Sequence, residues 1–292
     1  MVIQIGDQTG SAQIDTMGAQ LISLKNVSGT EYLWQGNPAY WSGQAPLLFP
    51  MVGALRNGKT MIDGKEYEMK RHGLARKMEF SKLDSTTSSA TFSLRASDET
   101  KKQFPFDFDL TVIYRFHSSA LTTEFHVANL GEKPMPYVLG GHPAFNCPIS
   151  KEERFEDWMI EFEQNETAEC PQIDLHTGMI FFHKRVPILK NEKTISLQHS
   201  LFDQDALVFD SLKSKKVKLC SSKSGHGVEM DFAGFDYFGI WSAVNNAPFV
   251  ALEPWTGCAT AEDEDDDFYH KRGMTLLQPG QSAKHEFTIA LL

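Results

Sequence analysis

Phe106-Asp107-Phe108-Asp109-Leu110-Thr111-Val112-Ile113-Tyr114-Arg115-Phe116 decides the fold class. Every even position is apolar and the odd ones are mostly polar, the two-residue period of a strand with one face buried. After a turn at Ser118-Ser119 the pattern resumes at Leu121, Phe125 and Val127, which predicts a hairpin. Asp63-Gly64 between two short β-rich arms, Lys59 to Tyr67, predicts another. Ala90 to Leu94 alternates, and so does Glu286 to Leu291. Helical signals are few and short: capping-box spacing at Ser150-Lys151-Glu152-Glu153, and room for a turn or two over Asp98 to Phe104. Many short strands with frequent turns read as an all-β fold, a large antiparallel β-sandwich or barrel with a few short helices.

The chain has 292 residues, 41% of them hydrophobic and 11% aromatic, which excludes disorder and provides a large core. That length fits two average domains, yet all-β folds often run to roughly 250 residues as one. With no linker, fixed-period repeat or composition break, a single domain over residues 1–292 is expected. Lys and Arg total 28 against 38 Asp and Glu, a net charge of -10. This balance argues against nucleic-acid and anionic-membrane partners, and leaves open a local basic pocket for a phosphate. No apolar run approaches the roughly 18 residues of a membrane span, and the N-terminus lacks the pattern of a signal peptide. Cys147, Cys170, Cys220 and Cys258 are scattered without a Cys-x-x-Cys pair, so neither a disulfide framework nor a zinc site is expected, and a cytoplasmic location is.

Four islands carry chemistry. The apolar run Ala45 to Leu55 is punctuated by Pro46 and Pro50 and delivers Arg56 to a turn at Asn57-Gly58. Arg71-His72-Gly73-Leu74-Ala75-Arg76 sets two cations around a histidine. In Gly140-Gly141-His142-Pro143-Ala144-Phe145-Asn146 a glycine pair lets the backbone turn sharply or approach a ligand, and Pro143 stiffens His142 in an extended conformation. Phe249-Val250-Ala251-Leu252-Glu253-Pro254-Trp255 closes an apolar strand with a carboxylate. Desolvation there raises a carboxyl pKa towards the range of a general base, and Trp255 offers a flat face to a sugar. The plain alternatives are a loop histidine without a role and a solvated strand-end glutamate.

His72-Gly73, Gly141-His142-Pro143-x-Phe145-Asn146 and Leu252-Glu253-Pro254-Trp255, in this order and with the Asp63-Gly64 hairpin just ahead, resemble the aldose 1-epimerase (galactose mutarotase) family. Pro46 to Gly53 and His72 to Arg76 look most like its bacterial branch of LacX-type proteins. The resemblance covers essentially the whole chain. It implies a galactose mutarotase-like β-supersandwich with the sugar in a cleft across one sheet, and an isomerase that needs neither cofactor nor metal. By the same resemblance Glu253 takes the proton of the anomeric hydroxyl, His142 protonates the ring oxygen, and His72 holds a sugar hydroxyl, with Trp255 and Asn146 also at the substrate. The family's arginine aligns with Ala54. Arg56, two residues on and on the same face if the strand continues, is one substitute, and Arg76 the other. The family's aspartate corresponds to Asp205, with Asp203 the alternative.

The implied partner is a free hexose such as glucose or galactose, or a hexose 6-phosphate, since Arg56, Arg71 and Arg76 lie close in sequence and arginine suits phosphate. A non-catalytic sugar-binding module is the rival of another class, and the protein is expected as monomer or homodimer. Asp205 with Glu253 as a glycosidase pair leaves both histidine loops without a role. The acidic run Glu262 to Asp267 lacks the glycine and spacing of a calcium loop and reads as solvated. Trp34 and Trp41 fit a sugar cleft or the core equally. His117, His126 and His285 read as surface or packing residues.

Overall fold

The computed structural model describes residues Met1–Leu292. A nine-stranded antiparallel sheet runs Ile180–Ser196, Trp158–Ile173, Lys216–Ser221, Gly227–Asp231, Ser282–Leu291, Ala120–Asn129, Phe108–His117, Ser89–Arg95 and Ser81–Ser85. The quoted stretch pairs with Ala120–Asn129 from Ala120↔His117 to Asn129↔Phe108, around Ser118 and Ser119, both in left-handed backbone. All its even-numbered side chains are buried. The Asp63-Gly64 hairpin joins Lys59–Ile62 to Lys65–Glu68.

A second sheet runs Leu207–Phe209, Tyr237–Trp241, Phe249–Trp255, Gly140–Gly141 and Leu47–Leu48, with Ala144–Asn146 also paired to Phe249–Trp255. One continuous apolar core takes side chains from both sheets and from the N-terminal strands Val2–Asp7, Gly10–Asp15 and Gln20–Asn26. The fold is thus a large antiparallel β-sandwich.

The single α-helical segment is Asp98–Lys101, where Ser97 and Thr100 form a capping box. At Ser150–Glu153 the capping-box spacing yields only a turn. The Glu153 carboxylate accepts instead from Trp158 Nε1 at 2.8 Å and Ser221 Oγ at 2.7 Å, so it is not free to cap. No helix is long and apolar enough to cross a membrane.

Strand Phe249–Trp255 positions the site. Val250 and Leu252 enter the main core, while Phe249 and Ala251 face the other way, among Trp34, Trp41 and Trp241. Two-residue alternation puts Glu253 and Trp255 on that second face.

Candidate active site

The second face of the smaller sheet is the floor of a cavity of about 270 Å³. Val208, Gly239 and Glu253 lie side by side on three neighbouring strands, and Trp241 and Ala251 form the next row. Trp255 lies between Gly140 and Tyr237. A Cβ at Gly239 would meet the Trp255 ring at 2.7 Å, so the missing side chain is what lets the indole lie flat along the floor. Gly140 serves the same purpose, since its Cβ would meet the Trp255 ring at 2.5 Å. The pair stays in the sheet rather than turning, and the bare Gly141 makes room for Phe287 of the main core, which a Cβ would strike at 2.7 Å.

His142 follows that pair and is fixed from both sides. Its N–H donates to the Pro46 carbonyl at 3.1 Å, and the Pro143 carbonyl accepts from Leu252 N–H at 3.1 Å. The Phe249–Trp255 strand is therefore tied to the His142 loop one residue before Glu253. His142 Nε2 lies 3.3 Å from Glu253 Oε2, with the two side chains 8% and 2% exposed. The Trp41 indole stacks on the imidazole at 4.8 Å and 24°, and Trp241 meets it edge-on at 5.5 Å. Burial presses His142 towards its neutral form, and Arg76 and Arg71 add to that. Burial, with the Asp205 charge behind it, raises the Glu253 carboxyl well above the usual carboxylate range. A pair pushed apart in this way holds one proton between its members over a wide pH interval.

His72 sits in left-handed backbone at φ 68°. Such strain in a non-glycine residue persists only where neighbours enforce it. Gly53 does so: its carbonyl accepts from His72 N–H at 2.8 Å, and its own N–H donates to His72 Nδ1 at 3.1 Å. With Nδ1 an acceptor, neutral His72 carries its proton on Nε2 and is a hydrogen-bond donor. Burial holds it well below the ordinary histidine value, ahead of the charges of His142, Arg76 and Arg71. The ring stands edge-on to His142 at 5.6 Å.

Asp205, also in left-handed backbone, lines the cavity beside Ala206 and Val208, and Asp203 does not. Arg76 reaches the cavity from the turn Ala75–Lys77, and Ala54 lines it directly. Two expected residues lie elsewhere. The chain breaks at Arg56–Gly58 into a 3-10 turn, so Arg56 does not continue the face of Ala54. Its guanidinium grips Asp266 at 2.9 Å and the carbonyls of Ala261, Glu262 and Glu264. Asn146 donates to the carbonyls of Glu31 and Leu33 at 3.0 and 3.1 Å and holds the chain there.

The acidic run is likewise not simply solvated. Asp263 pairs with Arg272, Glu264 with Lys271, Asp265 with His270 and Asp266 with Arg56. No group of three or more His, Cys, Asp or Glu converges anywhere as a metal site. The sequence also left Trp41 undecided and offered Arg71 only as one of three arginines suited to a phosphate. Both line the cavity, as do Trp241 and, at the tip of the ribbon formed by strands Trp158–Ile173 and Ile180–Ser196, Ile173, Gly178 and Ile180.

The family model described as aldose 1-epimerase matches residues 1–290. The plasmid-encoded protein LacX of Lactococcus lactis subsp. lactis is 40% identical over 298 residues, covering 100% of both chains. Its chromosomal counterpart is 39% identical over the same span. Among solved structures, a galactose mutarotase related enzyme from Lactobacillus acidophilus superposes with a TM-score of 0.95 at 31% identity, covering 100% of this chain and 97% of that one. A galactose mutarotase-like protein from Lactobacillus casei gives 0.92 at 31% identity, with both chains fully covered.

Proposed function

The chain belongs to the aldose 1-epimerase family, and from that premise we propose that it interconverts the α and β anomers of a hexose by acid/base opening and reclosure of the ring. One observation carries the reading: an imidazole nitrogen and a carboxylate oxygen 3.3 Å apart, buried together at the floor of a cavity about the size of one sugar ring.

The two oxygens that must exchange protons sit on the same carbon of a hemiacetal. A donor and an acceptor this close reach both at once. From the state with the shared proton on His142, Glu253 takes the proton of the anomeric hydroxyl while His142 delivers its own to the ring oxygen, and the bond between C1 and the ring oxygen breaks. Rotation about C1–C2 and the reverse transfers close the ring on the other face. One proton shared by the pair is the stoichiometry that this requires, with no net proton lost or gained. His72 Nε2–H and the Asp205 carboxylate hold hydroxyls, and the Trp255 face carries the ring's apolar side.

Polarimetry on freshly dissolved α-glucose and α-galactose tests the reading. Equilibration faster than buffer by the protein, and loss of that rate in Glu253→Gln, is the expected result. Sugar bound without any acceleration would instead favour a binding module.

A further inference from the structure

The cavity is electrically polarised. Its charged and titratable lining consists of Asp205, Glu253, His72, His142, Arg71 and Arg76. Every other arginine of the chain reaches a carboxylate. Arg71 and Arg76 alone have no side-chain partner, in a protein with a net charge of -10. Acidic side chains are in surplus, so two cations unpaired at one cavity need a reason. The Nε of Arg76 is buried without any hydrogen-bond partner in the protein, a costly arrangement unless a ligand completes it. Arg71 lies against the ribbon tip at Gly178, where a Cβ would collide with its guanidinium. The absent side chain there makes room for the arginine at the cavity wall.

From this pair we infer that the natural substrate is an aldose bearing a phosphate, and that the phosphate is carried by the exocyclic carbon, as in a hexose 6-phosphate. This rests on the anomer-exchange reading above. C1 must carry a free hydroxyl for the reaction, which excludes a 1-phosphate. The exocyclic carbon of a hexopyranose is attached to the ring carbon that neighbours the ring oxygen, so a group on O6 lies on the side where His142 acts. Both arginines line the same cavity as His142 and His72. Asp205, at the Glu253 side, would repel a phosphate and accept from hydroxyls, which fixes the orientation of the sugar.

The arrangement also links binding to catalysis. With Arg76 uncompensated, its charge opposes protonation of His142, which is the acid. A phosphate dianion on the guanidiniums neutralises that opposition and lets the shared proton settle on His142. The charged substrate thereby prepares its own acid.

The experiment compares anomer exchange of glucose and galactose with that of their 6-phosphates, by polarimetry at neutral pH. A kcat/KM advantage on the order of 10²-fold for the phosphates is expected from two charge-assisted contacts. It should shrink with added salt and fall at least about tenfold in Arg71→Gln and in Arg76→Gln. Wild-type protein supplies a measurement independent of variant folding: glucitol 6-phosphate should compete far better than glucitol. Equal use of free and phosphorylated sugars, or a preference that survives in the double variant, overturns the inference and leaves the mutarotase reading intact. Acceleration of none of the four sugars overturns both.

Discussion

The Trp41 indole lies over the His142 imidazole with ring centroids 4.8 Å apart and planes 24° apart. Trp34 holds it there by donating Nε1–H to the Trp41 carbonyl at 2.8 Å. An aromatic face stabilises a cation against it by about 0.5–2 kcal/mol. Trp41 thus partly offsets the burial that keeps His142 neutral. Trp41→Leu should lower kcat by roughly 2- to 30-fold, the rate equivalent of that range. The acid limb of the pH profile should move lower, since His142 becomes harder to protonate, and Trp41→Phe should restore most of the rate. A rise in KM alone, with kcat and pH profile unchanged, would reduce Trp41 to a wall of the cavity.

The pH profile of kcat/KM should be a broad bell. Activity needs one proton on the His142–Glu253 pair. A second proton arrives only below the depressed histidine value, and the last one leaves only above the raised carboxyl value. The acid limb therefore falls well below pH 6.5, and the alkaline limb well above the ordinary carboxyl value. A half-maximal point at the ordinary histidine value would show that His142 titrates as a solvated imidazole.

Glu253→Gln and His142→Asn should each lower kcat by about 10²–10⁴-fold, the usual worth of one acid or base. The double variant should cost little more than the worse single one, because the two act on one hemiacetal as a unit. Multiplicative losses would assign them to separate steps.

Thermal stability gives a check that needs no substrate. The Glu253 carboxyl has its pKa raised above 4.5 in the folded protein. Its stabilising contribution is full below pH 4.5 and is lost as pH rises through the folded value. Glu253→Gln removes that loss. The variant should match wild type near pH 4 and exceed it increasingly above, by about 1.4 kcal/mol per pH unit until the folded value is reached. Equal melting temperatures at pH 4 and pH 7 would place a solvated carboxylate at this position.

The fold was legible because the two-residue period of Phe106 to Phe116 is a property of one strand, independent of what the strand packs against. Glu253 stood out for the same reason, as a carboxylate closing an apolar run. Its pairing with His142 lies 3.3 Å across space, and only the order of the islands and their family resemblance joined the two. Arg56 was misplaced because its position was extrapolated along a strand, whereas the strand here is only Leu47–Leu48 and the chain turns at Arg56–Gly58. Nothing local decides for Trp41, or separates Arg71 from the two other arginines that suit a phosphate. Each acquires its place from a distant partner, Gly178 or His142, which periodicity cannot reveal.

Arg56 itself carries the last prediction. It closes the acidic run with a bond to Asp266 at 2.9 Å and three from Nη2 to carbonyls at 2.9–3.2 Å. That run follows Thr260, whose N–H donates to the Ala54 carbonyl at 3.0 Å, and Ala259 lines the cavity just before it. Arg56→Ala should therefore cost stability, about 2–4 kcal/mol for a charged network left with unpaired carbonyls. Arg56→Lys should recover little, since a point charge cannot serve four acceptors set out for a planar fork. In either variant the ratio of rates on phosphorylated and free hexoses should stay at the wild-type value, because Arg56 does not face the cavity. Chelator or added calcium should leave the melting temperature unchanged, the carboxylates from Asp263 to Asp266 already having cationic partners. A collapse of the substrate ratio in Arg56→Ala with stability intact would put this arginine back at the substrate.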